Sequence, residues 1–296
     1  MTHPTFLIVG APKAGTTAVA RQLNLHPDVF VSDGPGAAKE PHYFSYRGEQ
    51  QPPWAVQTLE AYLALFAGAE ACAARGEKST WYLYSETAAD QIGRLLPDAR
   101  IVILLRNPVD RAYSSWSFRT QMGGESETFE EALRLEPHRR EAGEPWDARY
   151  AEAGCYAAQV KRYLDRFGRE QVRVWLYEDL RADSGAVLKE ILVFIGVDPA
   201  FGETERVDVH NATRFPRWTG LSRLRAHPTV RAIGSRLPLG LKQRLATSLD
   251  RANQRPRPVL DAELRRDLGE RFRPDARRLG ELIGRDVESI WFPEHR

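Results

Sequence analysis

"IVGAPKAGTT", running from Ile8 to Thr17, decides how the rest of this 296-residue chain is read. Gly10 and Gly15 stand with four residues between them, the spacing of a loop that folds its backbone around a phosphate. The apolar run Phe6–Gly10 reads as a strand, and Thr16 to Leu25 reads as a helix. Strand, glycine turn and helix together aim backbone N–H groups and a helix N-terminus at an anion. Thr16 and Thr17 add hydroxyl donors in the first helical turn, and Lys13 adds a point charge from inside the loop. A magnesium-dependent triphosphate loop instead carries its lysine directly after the second glycine. The bland alternative is a structural glycine–proline turn.

Outward from the loop, short apolar runs alternate with amphipathic stretches, the pattern of an α/β protein with a parallel sheet. "DVFVS" reads as a short strand, and "TLEAYLALF" and "SETAADQIGRLL" as helices, the second capped by Ser85. "ARIVILL" (Ala99 to Leu105) is a continuous apolar run suited to a central strand. It ends at Arg106, with Asn107 placed to cap the next helix and Pro108 at its first position. "AQVKRYLDRF" reads as a helix, "VRVWLYEDL" as a strand, "AVLKEILVFIGV" as a helix ended at Gly196, and 261–290 as one or two helices.

An arginine at a strand end binds phosphate and cannot ligate a cation. Glu178 and Asp179 in "VRVWLYEDL" do offer acids. Arg106 and the missing G-K-[ST] lysine nevertheless point to nucleotide binding without a metal.

Composition is that of an ordinary globular protein, 42% hydrophobic and 28% charged, with a net charge of +2. No apolar run approaches the roughly 20 residues of a membrane span, and the N-terminus lacks a signal-peptide pattern. Cys72 and Cys155 have no metal or redox spacing and read as small buried thiols in a reducing cytoplasm. The charge is segregated: from Arg206 to Arg257 twelve Lys or Arg face two acids, a segment of +10 against −8 for the remainder. That implies an anionic partner, or else a solvated arginine-rich surface. We expect one domain over 1–296, with a polar insertion at 119–150 and the basic segment at 206–258.

Six stretches in order resemble the PAPS-dependent sulfotransferases, above all the heparan-sulfate branch and its bacterial relatives. They are "VGAPKAGTTAVARQLNLHPDV", "KEPHYFS", "GEKSTWYLYS", "RIVILLRNPVDRAYSSW", "VRVWLYEDL" and "HNATRFPR". PAPS is 3'-phosphoadenosine 5'-phosphosulfate, and PAP is the product left after transfer.

The resemblance implies a P-loop-NTPase-like fold, PAPS as donor and no metal. It implies that Lys13 and the backbone of Ala14, Gly15, Thr16 and Thr17 hold the 5'-phosphosulfate. Arg106 and Ser114 match the pair for the 3'-phosphate, and Arg214 lies in a late loop over the nucleotide where relatives often carry lysine or glycine. Glu40 matches the general base, and Lys78 a lysine near the sulfate. His42 is the rival base, facing the same way as Glu40 if that segment is extended. Glu77, beside Lys78, reads as paired with a surface charge. Trp81, Tyr82, Tyr84 and Trp116 flank the motifs and suit either an acceptor cleft or core packing.

The expected activity is sulfuryl transfer to a hydroxyl of a sugar, nucleoside or other small molecule, by a bacterial-type cytoplasmic enzyme that binds no nucleic acid. The rival classes are a magnesium-dependent P-loop kinase and a basic membrane- or nucleic-acid-binding protein. Residues 221–249 mix apolar residues with arginines, as an interfacial segment making weak membrane contact does, although Pro228 and Pro238 interrupt them.

Overall fold

The β1 strand (Phe6–Gly10) is buried at every position, because strands flank it on both edges and helices cover its faces. The computed structural model describes residues 2–34, 40–46, 52–200, 215–216, 254–255 and 258–293. Within it β1 pairs in parallel with β3 (Ala74–Lys78) and with β4 (Arg100–Leu105). Outside these lie β2 (Val29–Ser32) and β5 (Val172–Leu176), giving a five-stranded, all-parallel sheet in the order β2-β3-β1-β4-β5.

The chain divides into two compact units, the first comprising Met1–Asn107, Cys155–His210 and Phe272–Arg296. It holds the whole sheet with α1 (Thr16–Leu23), α2 (Leu59–Ala64), α3 (Ala88–Leu95), α6 (Tyr156–Phe167), α7 (Tyr177–Ala182) and α8 (Ser184–Ile195). Helix starts follow local chemistry: the side chains of Thr58 and Asp183 accept the Ala61 and Ala186 N–H groups. Ser85 serves α3 in the same way, its Oγ accepting the Ala88 N–H at 3.2 Å. Gly196 ends α8 in the left-handed conformation, φ +86°.

The second unit comprises Pro108–Gly154 and Asn211–Arg271. It contains α4 (Pro108–Gln121), α5 (Phe129–Glu141) and an antiparallel pair, β6 (Phe215–Pro216) with β7 (Gln254–Arg255). The segment expected to be a polar insertion packs with α4 into a core. Tyr113 stacks on Trp116 at 5.3 Å, and Phe129 meets Tyr113 edge-on. Fully buried Arg111 donates to Ser115 Oγ and the Tyr150 carbonyl, and Glu125 accepts from Arg139 and Tyr150. The C-terminal tail forms α9 (Ala262–Ile283) and α10 (Val287–Trp291).

Two local expectations are corrected, those for "VRVWLYEDL" and for the cysteines. "VRVWLYEDL" stays a strand only to Leu176, and Glu178 and Asp179 fall in the first turn of α7, where acids suit the helix dipole. Asn107 sends its amide to the Trp291 carbonyl at 2.8 Å, while its N–H donates to Glu178. Cys155 is exposed and Cys72 half-buried, so neither is a buried thiol. β3, with the polar sequence "ARGEK", is a strand the apolar pattern does not announce. Among the described residues, no helix is long and apolar enough to cross a membrane.

Gly10 sits where β1 leaves the sheet, and a Cβ there would lie 2.5 Å from Leu83 Cβ and 3.0 Å from the Thr80 carbonyl oxygen. Gly10→Ala is expected to cost about 1–3 kcal/mol through overpacking, read by calorimetry as a lower Tm.

Candidate active site

The loop between β1 and α1 is shaped by backbone geometry that side chains resist. Gly15 caps α1 at φ +87° with no side-chain cap bond, and a Cβ there would lie 2.8 Å from Leu180 Cδ2. Lys13 is also left-handed, at φ +69°. Ala14 and Thr16 are buried, while Thr17 is exposed. Arg106 emerges from the neighbouring β4 end and donates through Nη1 to the Lys13 carbonyl at 3.2 Å. Its guanidinium lies 4.5 Å from the centre of the Tyr177 ring, which fixes its plane. The two cationic residues expected to hold the nucleotide thus meet where β1 and β4 end. Glu178 is bonded to the Asn107 N–H and the Trp291 indole, and Asp179 to Arg285.

On the other side of β1, the same sheet edge holds a buried carboxylate. Ile8 of β1 is in register with Lys78 of β3, and the Ser79 N–H donates to the Ile8 carbonyl at 3.1 Å. Just there Lys78 Nζ meets Glu40 Oε1 at 2.5 Å. Glu40 Oε2 accepts the Thr80 N–H at 3.0 Å and the Thr80 hydroxyl at 2.9 Å, and it faces His42 Nε2 at 3.0 Å. Burial raises the Glu40 pKa, but His42 and Lys78 together outweigh it and hold the carboxyl at about 2. Glu40 is therefore an anion across the physiological range.

His42 and Glu40 do meet, but not through an extended chain. His42 is left-handed, φ +53°, and its ring swings back onto the carboxylate from a turn. Because an ionised carboxylate only accepts, Nε2 carries a proton, and Nδ1 lies 3.1 Å from Ser45 Oγ. Both ring nitrogens are engaged.

Of the remaining expected residues, Ser114 is buried on α4 in the second unit, and Arg214 lies outside the described residues, as does 221–249. Glu77 contradicts its reading as a surface residue: it is fully buried. Tyr82 and Trp116 are core residues. Beside Tyr177 at Arg106, an aromatic residue borders the Glu40–His42 cluster: Trp54, which follows Pro52 and Pro53. It is 55% exposed, with its ring 5.1 Å from that of His42 and edge-on at 85°.

A parallel sheet with a glycine loop between its first strand and first helix, flanked by cationic strand ends, defines the class of α/β proteins that cradle an anionic group at the sheet's carboxyl edge. The family model described as "Sulfotransferase domain" matches residues 3–219, and the chain belongs to the sulfotransferase family. Its fold is accordingly the P-loop-NTPase-like fold of these enzymes.

The chain is similar to a sulfotransferase structure from Alicyclobacillus acidocaldarius, with 30% identity, a TM-score of 0.76, and coverage of 98% of this chain and 99% of that one. It is 28% identical over 68% of its length to mouse bifunctional heparan sulfate N-deacetylase/N-sulfotransferase 3, and 27% identical over 95% to human bifunctional heparan sulfate N-deacetylase/N-sulfotransferase 2. It spans 23% and 30% of those two proteins.

The Glu40 cluster has a measurable signature. Its pKa is depressed in the folded protein, from 4.5 to about 2, so the stabilisation is present above pH 4.5 and is lost as pH falls toward 2. Acid titration of stability is expected to show this loss, about 3 kcal/mol in total, in the wild type. In Glu40→Gln it should be absent, with a lower Tm at pH 7.

Proposed function

We propose that the chain transfers a sulfuryl group from PAPS to a hydroxyl or amine of a saccharide acceptor and releases PAP, within one catalytic domain spanning 1–296. The observation that carries this reading is the common sheet edge, where a phosphate loop, two cationic residues and an ionised buried carboxylate are gathered by β1, β3 and β4. The match to a sulfotransferase domain supports it.

In the reaction, the bond between sulfur and the bridging phosphate oxygen breaks as the acceptor oxygen or nitrogen bonds to sulfur. The acceptor's proton passes to Glu40, and negative charge develops on the phosphate of PAP. Lys13 and the loop N–H groups stabilise that charge more in the transition state than in the ground state.

Glu40 Oε1, whose partner is Lys78, takes the proton; Oε2 is occupied by Thr80 and His42. A carboxylate with a pKa of about 2 is a weak base. Lys78 corrects this when the donor's phosphosulfate draws its ammonium away, because Glu40 then loses the charge that weakens it. His42 orients the carboxylate rather than serving as the base. Arg106, with Ser114 and Arg214 on resemblance, binds the 3'-phosphate and adenosine end.

The saccharide reading rests on Trp54, which offers an apolar face beside a proton acceptor, and on the heparan sulfate acceptors named for the curated relatives. Trp54→Ala is expected to raise the acceptor KM about tenfold for a desulfated heparan oligosaccharide, with Kd for PAP unchanged in calorimetric titration.

Lys13→Ala and Glu40→Gln are each expected to lower kcat by about two orders of magnitude or more, followed by PAP release below both melting temperatures. Glu40→Gln keeps wild-type affinity for PAP, whereas Arg106→Ala weakens it. Tight ATP binding that requires magnesium, with indifference to PAP, would instead establish the kinase reading.

A further inference from the structure

Glu77 precedes Lys78 on β3 and is fully buried, yet no step of the proposed reaction uses it. Its carboxyl is the meeting point of three hydroxyl groups. Ser79 donates to Oε2 at 2.8 Å and Tyr62 to Oε1 at 3.4 Å, and Tyr82 is a further hydrogen-bond partner. Two of these hydroxyls are relays. Ser79 Oγ accepts the His42 N–H at 2.9 Å, and the Tyr82 hydroxyl accepts the Phe44 N–H at 3.4 Å. They hold the backbone of the turn from which His42 reaches Glu40. That turn needs holding, since a left-handed histidine persists only where its surroundings over-determine it.

We propose that Glu77 is a positioning residue that acts through Ser79 and Tyr82 to hold the His42–Phe44 turn, and with it the Glu40–His42 pair, in reactive geometry. The proposal deepens the sulfotransferase reading above and rests on it. Hydrogen bonds to an ionised acceptor are roughly twice as strong as neutral ones. An ionised Glu77 therefore orders all three hydroxyls, leaving the Ser79 and Tyr82 oxygens turned to the two backbone donors. A protonated Glu77 weakens both relays, and the turn loosens.

The protonation state is set by the groups around the carboxyl. Burial raises the pKa to about 7, and the negative charge of Glu40 adds to the rise. The hydroxyls of Tyr82, Ser79 and Tyr62 oppose it. Tyr163 of α6 also faces Glu77, while adjacent Lys78 is directed to Glu40. The carboxyl therefore changes charge near neutrality, and the order of the turn changes with it.

The test reads the backbone amide resonances of His42 and Phe44 by NMR between pH 5.5 and 8.5, on the full chain without ligands. The wild type is expected to show a step near pH 7, which is absent in Glu77→Gln. In Tyr62→Phe, which removes one donor to the ionised carboxylate, the step should move to higher pH. A step that persists unchanged in Glu77→Gln, or stays in place in Tyr62→Phe, overturns the proposal. If Glu77→Gln does not fold, Tyr62→Phe decides alone.

PAPS hydrolysis to PAP and sulfate, followed over the same range, supplies the link to catalysis. The wild-type rate should rise through pH 7, and Glu77→Gln should be roughly tenfold to a hundredfold slower without that inflection. An equal rate and profile in the variant would show Glu77 to be core packing. A wild type that releases no PAP under any condition would sink the sulfotransferase reading, while the amide titration still judges the hydrogen-bond relay.

Discussion

The site turns on one carboxylate placed where water cannot support it. Buried without partners, Glu40 would hold its proton at neutral pH. Lys78, Thr80 and His42 reverse that outcome, and in doing so they are fixed themselves. The lysine belongs to β3, the threonine to the segment just after it, and the histidine to the turn that follows Glu40. One ion thus joins two separate stretches of chain at the end of a strand. Its partners include a second charge, so removing either member of the Glu40–Lys78 pair leaves the other buried beside the wrong chemistry.

The parallel sheet turns that local arrangement into a site. In register with β1, β3 delivers Lys78 beside the strand from which the glycine loop departs, and β4 delivers Arg106 on the opposite side. All three strands end at the same edge because they run in the same direction. Nothing in the loop alone distinguishes a sulfate donor from any other phosphate ester. In the proposed reaction the distinction arises from what the adjacent strands carry to that edge: arginine on one side, and a lysine–carboxylate pair on the other.

How much of this could be read in the sequence depended on whether the signal was local. Gly10, Gly15 and the apolar runs of β1 and β4 are local signals, and they gave the loop, the α/β order and Arg106. Glu40 and Lys78 came through resemblance, since their meeting links residues 38 apart. β3 was not legible. "ARGEK" has neither the alternation of a half-exposed strand nor the β-branched run of a buried one, and it is a strand because β1 and β2 enclose it. Glu77 was misread for a related reason: a charged residue is almost never fully buried unless partnered, and its partners are Tyr62 on α2 and Ser79 and Tyr82 in the turn after β3. Trp54 gave no signal, because a lone tryptophan after two prolines acquires meaning only when the turn brings it to His42. Tyr82 and Trp116, which looked better placed, are consumed by the two cores.

Residues 77 and 78 show why one strand can serve both the chemistry and its support. Successive side chains leave a strand on opposite faces, so the lysine reaches the Glu40 cluster while the glutamate turns toward the buried tyrosines. The two carboxyls then experience opposite environments. Glu40 has cationic and N–H donors and is held at about 2, whereas Glu77 has only neutral hydroxyls against its burial and is held at about 7. A pair whose pKa values are driven apart divides its tasks. The acidic member stays ionised, and in the proposed reaction its basicity follows the position of Lys78. The other changes charge near neutrality, and in the proposal above its influence on the reaction passes through the backbone of residues 42 to 44.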